Sequence, residues 1–258
     1  MAMSISAAGP RMLALGRAEL ILLKRNKMAL YVALLMPLSM VWAMRRTIGQ
    51  FDLDKTGMSV NDVSMTGAFG FILLFVVYQN LVSAYVARRE ELVLKRLRTG
   101  EAADAEILAG TALPALAIAV VQVVLLLVAG TVWLDLRAVA RPDLLVVGLL
   151  LGLVLSVALA AVTTAWAKTV ESAQLVTTPL LLVSLLGSGL LIPLKVMPDL
   201  AADVCELLPL TSVIELMRGG WMGGLSTYDA LGHVGTALAW MALAVFAVGR
   251  WFRWEPRR

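Results

Sequence analysis

The sequence has a single cysteine, Cys205, and a single histidine, His233. It therefore forms no internal disulfide, and neither a multi-cysteine site nor a histidine cluster for metal. Charge is sparse as well. Asp, Glu, Lys and Arg make up 16% of the 258 residues, against about 25% in an ordinary soluble domain. No Gly-x-x-x-x-Gly-Lys-Ser/Thr sequence occurs, and Lys168-Thr169 lacks the glycines that would cradle a phosphate. The chain is expected to hold no cofactor and no metal, and to bind no ATP itself. No Ala-x-Ala-like site closes a short apolar core near the basic N-terminus, so the first apolar run is read as a retained anchor.

What is abundant is apolar: 60% of the residues are hydrophobic. The few charges are also segregated. Six intervals, 28–44, 63–87, 107–134, 144–167, 172–194 and 230–249, contain no Asp, Glu, Lys or Arg. A helix needs roughly 20 apolar residues to cross about 30 Å of hydrocarbon. Barrel strands would alternate polar and apolar residues, and that alternation is missing. The expected fold is an all-α polytopic membrane protein with six transmembrane helices, 1–258 forming one transmembrane domain. The first interval is the shortest and can extend by snorkelling of Lys27.

Six crossings put both termini on one side. The N-terminus, the 88–106 loop, the 168–171 turn and the C-terminus together carry fifteen Lys and Arg; the remaining connections carry seven. The positive-inside rule makes the richer set cytoplasmic. The expected location is a bacterial plasma membrane. The basic excess of +4 then reflects topology, not a nucleic-acid surface. Trp42 and Trp133 fall at outer span ends and Trp166, Trp251 and Trp254 at inner ones, as in aromatic belts.

Three segments lie outside the spans. Residues 11–27 mix charge with apolar positions and are read as an amphipathic helix in the inner interface. Residues 195–229 are too broken to cross. Pro198 and Pro209 suit the starts of two short external helices dipping into the outer interface, with Gly219 and Gly220 as stops for the second. Cys205 fits there as a small hydrophobe. Between the second and third spans, residues 88–100 read Arg-Arg-Glu-Glu-Leu-Val-Leu-Lys-Arg-Leu-Arg-Thr-Gly. This is a good helix former that Gly100 can stop. Glu91 and Lys95 are spaced for an i,i+4 pair, and Leu94 and Leu97 share a face. Glu101, Asp104 and Glu106 follow, where the next helix dipole favours acid. Such a helix is a lever on spans two and three, or else an ordinary solvated loop.

On these features the chain resembles an ABC-2-type permease, the membrane subunit of an ATP-binding-cassette exporter. It is closest to the small daunorubicin-resistance type of actinobacterial drug exporters. The likeness runs through the basic N-terminal helix, the six spans, the 88–100 segment, Ala105-Glu106-Ile107-Leu108-Ala109-Gly110, and Leu208-Pro209-Leu210. It implies that the helix after span two docks on a separate ATPase. Arg89, Glu90, Glu91, Lys95, Arg96 and Arg98 then fall in the coupling region. The wider family often has Gly-Thr after its acidic residue, where this chain has Leu92-Val93. The resemblance implies two ABC ATPase subunits, which carry ATP and Mg2+, and a second permease chain, identical or related.

A transport path would be lined by the polar groups inside the spans: Gln79, Asn80 and Ser83 in span two, and Gln174, Thr177, Thr178 and Ser184 in span five. By the resemblance, spans one, two and five line the interface between permeases. Met36, Phe69, Phe71, Phe75 and Tyr78 would add an apolar, adaptable surface for an amphipathic cargo. The same polar groups can instead serve as glue between helices, worth about 0.6 kcal/mol each. Gly148 and Gly152 permit close helix approach within one subunit. Pro37, Pro114 and Pro179 are candidate kinks. The rival functions are an ATP-independent transporter and a non-transporting scaffold. The first normally buries an ionisable residue within a span, and none lies in the six intervals apart from His233 near one end.

Overall fold

The computed structural model describes residues 39, 41–43, 45, 46, 58–99, 103–133, 139–191, 193–252, 254 and 255. The expected interfacial helix at 11–27, Met36, and most of the first span at 28–44 lie outside them. Among the described residues, five helices are long and apolar enough to cross a membrane, and no strand occurs. The chain is an all-α, multi-span membrane protein.

The first of these helices is opened by Ser59. Its hydroxyl accepts from the Asp62 amide (3.1 Å), while the Asp62 carboxylate accepts from the Ser59 amide (3.2 Å). Such a box holds two otherwise orphaned donors and is worth about 1 kcal/mol. The helix runs as α1 (Val60–Phe71), a π-helical segment (Ile72–Gln79) and α2 (Asn80–Glu90) without interruption. A one-turn turnover at Glu91 and Leu92 leads into the short α3 (Val93–Arg98).

The next spans start on ordinary helix chemistry. In α4 (Asp104–Trp133), Asp104 and Glu106 occupy the first turn, and the Glu106 carboxylate accepts from the Ala103 amide (3.1 Å). That places acid at the positive end of the helix dipole. Pro142 stands at the first position of α5 (Pro142–Thr164), where its missing N–H costs nothing. Thr169 and Ser172 form a capping box for α6 (Val170–Gly187). This helix stops at Gly187, before the end of the charge-free interval 172–194. The chain bends from Ser188, passes Gly189 at φ +71, and makes a single 3-10 turn at Leu194–Val196.

The segment after that turn departs most from expectation. It forms α7 (Asp199–Glu206) and α8 (Pro209–Met222), followed by the last long helix, α9 (Thr227–Trp251). Gly219 and Gly220 do not stop α8. Both lie inside it, and the helix ends at Gly223, whose φ of +79 suits glycine. The two inner glycines serve close approach instead. A Cβ on Gly220 would come within 2.4 Å of the Leu145 backbone nitrogen.

Nor does α8 rest at the surface. All of it except Glu215 and Met222 is buried. It runs antiparallel to the first half of α5. Val213 lies against Gly152, Leu216 and Met217 against Gly148, and Gly220 against Leu145. The Gly220 and Trp221 carbonyls accept from the amides of Arg141 (2.8 Å) and Ala140 (3.2 Å). Gly148 and Gly152 therefore seat one helix of the same chain.

The α7–α8 hairpin packs against α9. At its tip the Leu207 carbonyl accepts from the indole N–H of Trp240 (2.9 Å). The backbone groups at this junction need partners within the protein. Thr211 Oγ1 donates to the Cys205 carbonyl (2.6 Å), Ser212 Oγ to the Pro209 carbonyl (3.2 Å), and Pro209 has no N–H to satisfy. α7 itself is nowhere buried, and Leu200, Val204 and Leu207 face outward.

Candidate functional site

The end of the bundle that carries α3 gathers most of the charged residues singled out in the sequence. Glu90 is the last residue of α2, and the chain turns at Leu92, the only described non-glycine residue with positive φ (+61). A left-handed leucine costs roughly 1–2 kcal/mol. The turn at Leu92 also corrects the expected continuous helix over 88–100. Glu91 does not pair with Lys95 across a helical turn; it pairs with Arg88 (3.2 Å).

α3 is held from beneath. Leu94 is fully buried, and Val93 and Leu97 are half-buried. Glu90, Glu91, Leu92, Lys95, Arg96, Arg98 and Thr99 face outward. The chain's end folds back on this helix. Lys95 Nζ meets the Glu255 carboxylate (2.9 Å), and Arg98 meets Asp104 (3.2 Å) and stacks over the Trp254 ring (4.9 Å to its centroid). Phe252 packs edge-on against both Tyr85 and Trp254. This tail was missed in the sequence, although the run Trp251-Phe252-Arg253-Trp254-Glu255 offered the signal: aromatics interleaved with charge.

The six residues of the expected coupling region thus separate into groups. Arg89 is fully buried and points into the protein, where it donates to the carbonyls of Thr164 (3.0 Å) and Ala167. It is not a surface residue. Glu91, Lys95 and Arg98 are exposed but engaged within the chain. Glu90 and Arg96 are exposed and carry no ion pair among the described residues.

The candidate path residues also divide. Phe69 is buried edge-on to Trp221 (6.3 Å), whose indole N–H donates to Asp62 (3.1 Å). Tyr78 is buried with its hydroxyl 3.1 Å from Thr163 Oγ1. Thr177 and Ser184 are buried within the bundle. These four pack the interior and do not line an open surface. Phe71 is buried and stacks on the half-buried Phe75 (4.0 Å between centroids).

The remaining residues converge. Gln79 Nε2 donates to Gln174 Oε1 (2.9 Å), joining the end of the π segment to α6. Ser83 follows Gln79 by four residues and Thr178 follows Gln174 by four, so each shares a helix face with its glutamine. Asn80, Gln174 and Thr178 are exposed; Gln79 and Ser83 are half-buried. An amide bridge flanked by hydroxyls thus forms a polar seam on an otherwise apolar surface. The seam begins where the π-helical segment ends at Gln79, and π geometry is often found at functional sites.

At the opposite end, the hairpin places Glu206 beside α9. A cavity of about 420 Å³ lies there, lined by Glu206, Leu207, Leu225, Tyr228, Asp229, Gly232, His233 and Thr236. The charge-free intervals gave no sign of it, because Glu206 belongs to a segment read as external.

Fold and site together define a polytopic membrane protein with a buttressed, charged helix at one end. Residues 10–222 match the sequence pattern of the family described as ABC-2 type transporter, and the chain belongs to that family. Members are typically non-catalytic membrane components that work with a cognate ABC ATPase. No curated protein matches the chain.

Proposed function

We propose that this chain is the permease subunit of an ATP-driven exporter, with α3 as the docking element for a separate ATPase. The observation that carries the reading is the state of α3. Its apolar side is sunk into the bundle, its charged side faces outward, and Glu90 and Arg96 are unengaged by the described residues. A soluble partner with complementary charges finds two ions there that no described residue engages. The excess of Lys and Arg on this side of the sequence supports a cytoplasmic position for it. Two ATPases, holding Mg2+ and ATP, would act on two permease chains.

The cargo in this reading is amphipathic: a drug, an antibiotic or another natural product, in keeping with the daunorubicin-resistance resemblance. The seam of Gln79, Asn80, Ser83, Gln174 and Thr178, with Phe75 beside it, offers hydrogen bonds within an apolar field. Its exposure on one face of the chain suits a path formed at the contact with a second permease.

The test is reconstitution in lipid nanodiscs with a candidate cognate ABC ATPase from the same organism. The wild-type chain is expected to co-purify with the ATPase and change its turnover. The double charge reversal Glu90→Lys with Arg96→Glu is expected to weaken that association by about tenfold or more, the scale of opposed charge at an interface. Equal association by both proteins would sink the docking assignment.

A further inference from the structure

Arg89 belongs by sequence to the charged surface and by structure to the interior. Its guanidinium reaches the C-terminal end of α5, donating to the carbonyls of Thr164 (3.0 Å) and Ala167. Helix ends leave such carbonyls without intrahelical donors and carry the negative end of the dipole. A cation there makes charge-assisted bonds, stronger than neutral ones, and burial protects them from solvent. Three residues further on, the chain turns into α3.

This tie does not stand alone. Tyr78 lies eleven residues before Arg89, close to three helical turns, and so on the same face. Its hydroxyl meets Thr163 of α5 (3.1 Å), and the neighbouring Gln79 meets Gln174 of α6 (2.9 Å). The α1–α2 rod is thus tied to α5 and α6 at two levels, the end of the π segment and the end of α2. On the α4 side the Tyr85 hydroxyl donates to the Leu108 carbonyl (3.0 Å) and the exposed Arg98 pairs with Asp104 (3.2 Å). An exposed pair of that kind holds weakly.

We infer that Arg89 is a positioning residue that joins α3, α2 and the α5–α6 turn into one rigid body, so that a displacement of α3 is delivered to α5 and α6. The sequence had suggested a lever on spans two and three, that is, on the α1–α2 rod and α4. The structure moves the output to the fourth and fifth spans, and so to the helix that carries Gln174. The inference rests on the proposed docking of an ATPase at α3.

The experiment measures spin-label distances in nanodiscs containing the permease and its ATPase, in a Cys205→Ala background. Labels sit at the exposed Thr99 and Lys168 in one sample and at Thr99 and Ala105 in another. The Thr99–Lys168 distance is expected to stay fixed when ATP binds, while the Thr99–Ala105 distance changes. Arg89→Gln is expected to release the first distance and to cut the permease-dependent change in ATP turnover by about tenfold, with Arg89→Lys recovering most of it. A wild-type Thr99–Lys168 distance that moves as much as Thr99–Ala105 overturns the inference, as does full modulation by Arg89→Gln. Should Arg89→Gln fail to fold, the wild-type distances decide alone. If the wild-type chain retains no ATPase, the docking assignment falls and this inference with it. If the ATPase is retained and only the distances or the modulation disagree, the inference alone falls.

Discussion

Among the described residues two arginines are buried, in a chain that has little charge to spare, and they sit at opposite ends of the bundle. Arg89 ties the base of α3 to the carbonyls that end α5. Arg218, in α8, meets Glu215 one turn away and the Gly189 carbonyl at the bend after α6. Each joins a helix to the end of another. The difference is the partner. Arg218 shares its site with a carboxylate on its own helix, so most of its charge is balanced locally. Arg89 uses its charge to hold a separate span. One end of the molecule is a fitted plug; the other is a joint between elements that can be pushed.

That contrast can be broken most forcefully at the plug. Gly220→Leu would drive a side chain into the Leu145 backbone, where even a Cβ lies 2.4 Å from the nitrogen. Overpacking of this kind costs about 3 kcal/mol, and backbone contact allows little relief. The expected result is loss of the monodisperse peak in detergent chromatography, with Gly232→Leu, in open space on α9, behaving as wild type.

Arg218→Ala comes next. It strands Glu215, which is 20% exposed at its side chain; water reaches that carboxylate, so the cost is about 2 kcal/mol, below that of breaking a fully buried pair. Arg218→Met with Glu215→Leu removes both charges and is expected to recover most of the melting temperature. A double variant no better than the single one would show that the Gly189 contact, and not the carboxylate, is what Arg218 supplies.

The effects at the α3 end are smaller and partly opposite in sign. Leu92→Gly relieves a positive φ and is expected to stabilise the turn by about 1 kcal/mol, read as slower amide exchange across Val93–Arg98. Glu255→Gln removes one half of an ion pair whose side chains are 50% and 63% exposed. Exposed pairs contribute about 0–1 kcal/mol, so stability is expected to hold while Lys95 becomes free for a partner, and ATPase association rises at low salt.

Much of this architecture was legible in the sequence for a simple reason. Water excludes long apolar runs and a bilayer excludes charge, so the charge-free intervals 63–87, 107–134, 144–167 and 230–249 each fall almost wholly within a long helix or its cap. Pro209 and the acidic first turns marked helix starts through groups that helices leave unpaired. What stayed hidden depended on neighbours distant in the chain. Gly219 and Gly220 resemble a stop until Leu145 is seen against them. Arg89 resembles its surface neighbours until the end of α5 is placed beside it. Phe69 and Tyr78 look like lining residues and are packed inside by Trp221 and Thr163. The π segment is made of apolar residues that encode no preference for a wider helix, and Leu92 is a helix former set in a turn.

In the proposed arrangement the α3 end, and not the hairpin end, receives the ATPase. A photoreactive amino acid placed at Arg96, and separately at Lys195 beyond α6, distinguishes the two ends in membranes containing both proteins. An ATPase adduct is expected from position 96 and none from position 195. Adducts from both positions, or from 195 alone, would overturn the assignment.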